Sequence, residues 1–231
     1  SDPAGRSRHG VETVTPTASP TAWPELEAAA LRGDSAVDAL VTGQTVPFVD
    51  GNRVTFLFRG AAEAVFLQHW VFGLGAKIPF LPLAATAWWQ LTMELPLKSR
   101  VEYKIGVRTG GHESWLHDPL NPRVAHDPFG GNSVVVMPGY EEPEWSQVQP
   151  GVPQGTLETW RMPSKSFGES RDVRVYLPTR YRANRRHRLL LVHDGDDYMR
   201  YSRLGAVLDN LTDRWEIPPL VVVLLNPHQR L

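Results

Sequence analysis

The feature that most restricts the fold of this sequence is a change of hydrophobic period late in the chain. Leu189–Val192 and Leu220–Leu225 are continuous apolar runs, the pattern of strands covered on both faces, as parallel strands are. Between them Leu204, Val207, Leu208 and Leu211 recur at helical spacing, so a helix from about Arg200 to Arg214 can lay one side on a sheet. Strand, helix and strand in that order predict a right-handed crossover between parallel neighbours.

Upstream the period is two. Val54, Phe56 and Phe58 alternate with Thr55, Leu57 and Arg59, and a short run follows at Ala64–Leu67 after Gly60. Trp89, Leu91, Met93 and Leu95 alternate with Gln90, Thr92 and Glu94, and Val101, Tyr103, Ile105 and Val107 with Glu102, Lys104 and Gly106. Such runs are half-buried antiparallel strands; with Ser133–Met137 they predict a β-sandwich over residues 23–140. Pro24–Gly33 reads as a short helix, with Pro at its start, Glu25 and Glu27 in the first turn and Gly33 at its stop. Residues 1–22, rich in Ser, Thr, Pro and Gly, read as a flexible leader. Pro143, Pro150 and Pro153 mark 141–154 as a linker. Val173, Val175 and Leu177 then suggest antiparallel pairing at the edge of a second sheet spanning 155–231.

Composition removes several classes of function. A net charge of -1 supplies no overall basic field, so neither nucleic acid nor a membrane surface is expected as partner. There is no cysteine, and with it no disulfide, thiolate nucleophile or sulfur-ligated zinc. His112, His117, His126, His193 and His228 match no compact zinc spacing, and no phosphate-binding glycine loop is present, so neither metal nor cofactor is expected. The N-terminus lacks the apolar core of a secretory signal; a cleaved signal would leave no trace in a mature sequence, and the cytoplasm is the default expectation. Trp89 continues the apolar stripe of its strand, whereas Trp70 offers an aromatic face for a ligand.

The segment that points to chemistry is Leu191-Val192-His193-Asp194-Gly195-Asp196-Asp197-Tyr198, a polar cluster at the carboxyl end of a buried strand, where open α/β sheets hold ligands. Its Asp-Gly pair also reads as a plain turn, with Asp196 or Asp197 capping the next helix. His193-Asp194-Gly195, Leu208-Asp209-Asn210-Leu211, Ile217-Pro218-Pro219 and Asn226-Pro227-His228-Gln229-Arg230 follow one another in an order that resembles the enterochelin esterases and the wider esterase D-like group. Arg171–Pro178 is similar to that group's opening strand, and Val54–Gly60 and Asp118-Pro119-Leu120-Asn121-Pro122 resemble its early-set sandwich.

The resemblance implies an immunoglobulin-like early-set sandwich followed by the first part of an α/β-hydrolase sheet. It implies a serine esterase acting on a small-molecule ester, typically a ferric catecholate siderophore, with His193, Asp194, Gly195 and Asp196 as the oxyanion-side loop and Tyr198 and Arg230 as substrate contacts. A serine nucleophile needs a base and an orienting carboxylate, and this chain departs from the family there. No G-x-S-x-G occurs: Gly131-Asn132-Ser133-Val134-Val135 and Gly168-Glu169-Ser170-Arg171-Asp172 lack the closing glycine. The family's triad would lie downstream of Leu231, so residues 1–231 alone are expected to be inactive. Two alternatives stand beside this reading: a carbohydrate- or partner-binding early-set protein, and one fragment of a split hydrolase whose Leu220–Leu225 strand awaits a companion C-terminal fragment.

Overall fold

The computed structural model describes residues 23–70, 75–166 and 168–226; the leader 1–22 and Arg230 lie outside the described residues. The chain divides into two compact units, Ser1–Tyr140 and Glu141–Leu231.

In the first unit, helices α1 (Pro24–Ala30) and α2 (Asp34–Val41) precede strands β1 (Phe48–Asp50), β2 (Arg53–Arg59), β3 (Ala64–His69), β4 (Lys77–Pro79), β5 (Leu81–Pro82), β6 (Trp88–Glu94), β7 (Arg100–Thr109), β8 (His112–Leu116), β9 (Val124–Asp127) and β10 (Gly130–Val136). These form two antiparallel sheets, ordered β1-β2-β6-β5 and β4-β3-β7-β10-β9, with β8 also paired to β7. The sheets share one core. Val54, Phe56 and Phe58 of β2 and Leu91 and Met93 of β6 meet Val65 and Leu67 of β3 and Tyr103 and Ile105 of β7, and the Phe56 and Tyr103 rings contact edge-on at 4.9 Å. The period-two reading therefore names the inner face correctly.

The outer face of β2 is a different matter. Expected to be solvated, it is buried, because Leu57 and Trp88 pack beneath Leu26, Ala29 and Val37 of the two helices. The buried hydroxyls of Thr55 and Thr92 satisfy one another at 2.8 Å. Gly33, expected to stop the first helix, turns the chain into α2 in the left-handed region (φ 101°), which glycine enters without penalty. Asp38 of α2 then holds this layer on the sheet, accepting from Arg59 Nε at 2.8 Å and from Trp88 Nε1 at 3.0 Å.

The second unit contains β11 (Thr156–Ser164), β12 (Glu169–Leu177), β13 (Arg188–His193), α3 (Gly195–Tyr201), α4 (Leu204–Asp213) and β14 (Leu220–Leu225). The sheet order is β11-β12-β14-β13. The expected parallel pair is present, with Arg188 opposite Leu220 and His193 opposite Leu225, while β12 pairs antiparallel with both β11 and β14. Two helices replace the single one expected between the parallel strands, the break falling at Arg203 in the left-handed region.

Three expectations are corrected. β12 is an interior strand rather than an edge. β14, whose free side the split-hydrolase reading leaves open, lies between β12 and β13. Of the parallel pair it is β13 that lies at an edge, where Leu189 and Leu191 are 60% and 54% exposed instead of covered. The reason is that α3 and α4 pack around β14: the core of this unit is Tyr176, Leu208, Val222 and Leu224. The Pro-rich segment 141–154 belongs to this unit too. It contains a 3-10 turn at Glu144–Ser146, and the Asn210 amide of α4 donates to the carbonyls of Trp145 and Gln147 at 2.8 and 2.7 Å.

Candidate functional site

β13 delivers His193, exposed, to the carboxyl end of the parallel pair, level with Leu225. Asp194 follows in the left-handed region (φ 52°), a conformation that Asp tolerates better than most residues. Its carbonyl accepts the N–H groups of Asp197 and Tyr198 at 3.0 and 3.2 Å, and so starts α3.

Gly195 is required by packing. A β-carbon there would collide with the Leu224 side chain and lie 2.7 Å from Leu224 Cα. The glycine seats α3 on the backbone of β14. Asp196 is the anchor of the loop. Its Oδ1 accepts from Arg174 at 2.6 Å, its Oδ2 accepts from the Asn226 amide at 2.8 Å, and its N–H donates to Asn226 Oδ1 at 3.0 Å. One carboxylate thus ties together β12, the loop and the end of β14.

These bonds leave few backbone donors free in the loop. The N–H groups of Asp196, Asp197 and Tyr198 are committed, whereas that of Gly195 bonds to no other described residue. A donor fixed in place and not yet used is what a developing oxyanion needs. Tyr198 stands half exposed on the first turn of α3. The structure therefore brings His193, Asp194, Gly195, Asp196 and Tyr198 to one end of one sheet. Arg174 and Asn226 complete the cluster and were missed: in the sequence Arg174 is only an outward residue of an alternating strand, and no spacing couples position 174 to 196.

The remaining motifs have structural work. Asp209 of α4 accepts the Tyr176 hydroxyl at 2.6 Å and the Gly155 N–H at 2.7 Å, and burial first, then this carboxylate, pushes the Tyr176 hydroxyl far above its ordinary pKa. Ser133, in the first serine segment, accepts the Asp118 N–H at 2.8 Å inside the sandwich. Asp118 also takes the Tyr103 hydroxyl at 2.6 Å and the Leu120 N–H at 2.9 Å, while the Asn121 amide bridges the Tyr103 oxygen and the Val134 carbonyl at 3.0 and 2.9 Å. The Asp118–Pro122 motif is thus a buried polar clasp. Ser170, in the second segment, is exposed on β12 opposite Pro163.

Trp70 is 61% exposed in the first unit. It lines a concavity of about 420 Å3 with Arg100, Val101, Glu102, Asp127 and Asn132. The buried Asn132 amide donates to Glu102 and Asp127, each at 3.0 Å. Among the described residues, no group of three or more His, Asp or Glu side chains could hold a metal ion, and no helix is long and apolar enough to cross a membrane.

Residues 164–230 match the family model named Esterase. A stretch of 69 residues is 29% identical to the uncharacterized protein YjcH of Bacillus subtilis (strain 168), covering 30% of this chain and 29% of that protein. The enterochelin esterase of Shigella flexneri superposes with a TM-score of 0.57 at 19% identity, over 84% of this chain and 57% of that one. The ferric enterobactin esterase of Salmonella typhimurium gives 0.56 at 20% identity, over 83% and 59%. The Shigella flexneri enterobactin esterase solved in the presence of enterobactin gives 0.53 at 22% identity, over 77% and 53%. The chain spans a little over half the length of these solved esterases. Residues 164–230 match the esterase family's sequence pattern, and the chain is similar in fold to a little over half of the solved enterochelin esterases.

Proposed function

We propose that this chain is the substrate-side scaffold of a serine-type ester hydrolase of the enterochelin-esterase kind, acting on a small-molecule ester of the ferric catecholate siderophore class. In this reading the first unit is an early-set immunoglobulin-like domain and the second is the opening of an α/β-hydrolase sheet. The observation that carries the proposal is the loop at the carboxyl end of β13. Asp194 turns the chain, Gly195 seats it on β14 with its N–H bonded to no other described residue, and Asp196 is clamped by Arg174 and Asn226. A donor held this way stabilises the tetrahedral intermediate of acyl transfer, an effect worth about 2.7 to 4 kcal/mol per donor. His193 and Tyr198 flank the place where the ester would sit. The nucleophile, base and orienting acid come from elsewhere, and the exposed β13 edge is where the strands of a companion segment would pair.

The test is hydrolysis of a ferric catecholate ester and of an aryl acetate, by residues 1–231 alone and by the chain continued in its own reading frame. The expected result is no turnover by residues 1–231. The longer polypeptide should turn over, be blocked by a serine-directed fluorophosphonate, and lose about tenfold or more in kcat on Asp196→Ala, because a loosened donor acts chiefly on the transition state. Turnover indifferent to Asp196→Ala, or a longer chain without an activated serine, would sink the assignment.

The Trp70 concavity supports a second reading, carbohydrate binding by the first unit. An exposed ring beside two carboxylates held by one buried amide suits the apolar face and hydroxyl donors of a neutral sugar. Saturable binding of neutral oligosaccharides that is lost in Trp70→Ala, with no binding of a ferric catecholate, would favour it over the esterase reading.

A further inference from the structure

The opposite end of the same sheet carries a feature that ester hydrolysis does not use. Between β12 and β13 the sequence runs Thr179-Arg180-Tyr181-Arg182-Ala183-Asn184-Arg185-Arg186-His187-Arg188, with no Asp or Glu anywhere from 173 to 193. The near-zero net charge of the whole chain conceals this concentration. In the structure Arg180, Arg182, Arg185, Arg186 and Arg188 line a single concavity of about 620 Å3 together with Trp215.

Arg180 is engaged, lying 3.9 Å above the Trp215 ring and 3.8 Å from Asp213. The other four arginines make no ion pair with another described residue. The loop that presents them is ordered by its own bonds: Arg185 N–H donates to the Arg182 carbonyl at 3.0 Å, and the Tyr181 and His187 rings lie 4.9 Å apart. Four like charges in one hollow repel one another unless an anion joins them.

Trp215 is the second, independent observation. It occupies the position after α4 with φ 60°, where glycine or asparagine is usual and a bulky residue is strained. The turn there closes α4, with Trp215 N–H donating to the Thr212 carbonyl at 3.2 Å and Glu216 N–H to the Leu211 carbonyl at 2.9 Å. It leaves Trp215 72% exposed at the rim of the hollow, with one ring face against Arg180. A large exposed aromatic lining a cationic hollow offers a ligand a stacking surface that the fold itself does not use.

Arg188 opens β13 and the loop at His193 closes it, so the hollow lies about 16 Å from the candidate active-site loop, five residues at about 3.3 Å each. It is a separate site.

We propose that this concavity binds an oligophosphate. Guanidinium forks match phosphate oxygens in pairs. A terminal phosphate carries about 1.5 to 2 negative charges, so a di- or triphosphate supplies about the four that the uncommitted arginines would balance, whereas a single carboxylate does not. The exposed Trp215 ring lies at the rim, where the base of a nucleotide would stack.

The test is calorimetric titration of the 231-residue chain with sodium tripolyphosphate and with ATP at physiological ionic strength. Saturable binding of tripolyphosphate is expected, weakened at least tenfold in the Arg185→Ala/Arg186→Ala double variant and unchanged in Arg123→Ala on the other unit. The Arg185→Lys/Arg186→Lys variant keeps the charge and the fold should the alanine pair not fold; it is expected to bind several-fold more weakly, because the paired forks are lost. ATP binding tighter than tripolyphosphate, with the excess lost in Trp215→Asn, assigns a nucleotide; equal affinities assign the oligophosphate group alone. No saturable binding, an equal loss in Arg123→Ala, or full affinity in the lysine pair would overturn the proposal. None of these readouts involves ester hydrolysis, so the site stands or falls apart from the esterase reading.

Discussion

The two units handle apolar sequence in opposite ways. In the sandwich, β2 is buried on both faces, the second face by helices α1 and α2, and its inward polar groups are collected in the Asp118 clasp. In the second unit only the middle of the sheet is covered. β11 is exposed along most of its length, and β13 turns Leu189 and Leu191 to solvent although it is the most apolar strand of its sheet after β14. A long apolar edge is a template for another strand. One unit is thus closed around its own residues, while the other is patterned for more cover than its described residues supply, and the candidate loop lies at the strand ends of that open sheet.

The largest effect that sharpens the contrast comes from glycines under pressure in each unit. In the open unit Gly195→Ala drives a β-carbon into Leu224, whose Cα is 2.7 Å away and belongs to a central strand that cannot move aside. A loss of about 3 kcal/mol is expected, the upper end for overpacking. In the closed unit Gly106→Ala meets only the Trp115 ring, at 2.6 Å. That ring is partly exposed and able to swing, so less than about 1 kcal/mol is expected. Urea unfolding of both variants measures the difference; equal losses would mean that β14 is as yielding as a surface ring.

The Asp118 clasp tests how closed the sandwich is. Asp118→Asn turns one of the two carboxylate oxygens that accept the Tyr103 hydroxyl and the Leu120 N–H into a donor, so one of these two donors loses its acceptor, and a loss of about 2 kcal/mol at pH 7 is expected for an orphaned buried donor. The pH dependence has a definite sign. Burial is the main influence and pushes the Asp118 carboxyl above its ordinary value of 3.8, so between that value and its raised one the folded state keeps a proton that the unfolded state has released. Its contribution is fully present below pH 3.8 and is lost as pH rises through the raised pKa. The stability gap between wild type and Asp118→Asn should therefore widen on going from pH 7 to pH 4 in denaturant melts. A gap that narrows would place Asp118 in a wetter site than the one described.

What the sequence disclosed follows the same division. Alternation revealed the inner faces of β2, β6 and β7 because each residue's face is settled within its own strand. The parallel pairing of β13 with β14 was legible from continuous apolar runs. The cover on Leu57 was not, because α2 has only eight residues, too few for a periodic signal to stand out, and what a helix covers is a tertiary fact. Position in the sheet was equally hidden: apolar content alone assigned cover to Leu189–Leu191, whereas exposure is decided by which neighbour lies beside the strand. At the candidate loop, the turn at Asp194-Gly195 was visible, but the clamp on Asp196 joins positions 174, 196 and 226, which only folding brings together.

The smallest stability effect carries the most information about the open edge. Leu189→Lys and Leu191→Lys replace side chains that are already more than half exposed on β13, so each should change unfolding free energy by no more than about 0.5 kcal/mol. Their effect should appear in association instead. A lysine on an edge strand blocks strand addition, so the parent chain is expected to self-associate in sedimentation at concentrations where the double variant stays monomeric, and the double variant should fail to pair with a companion segment supplied in trans. If it loses several kcal/mol of its own stability, β13 is already covered within this chain, and the contrast between a closed and an open unit fails at the strand on which it rests.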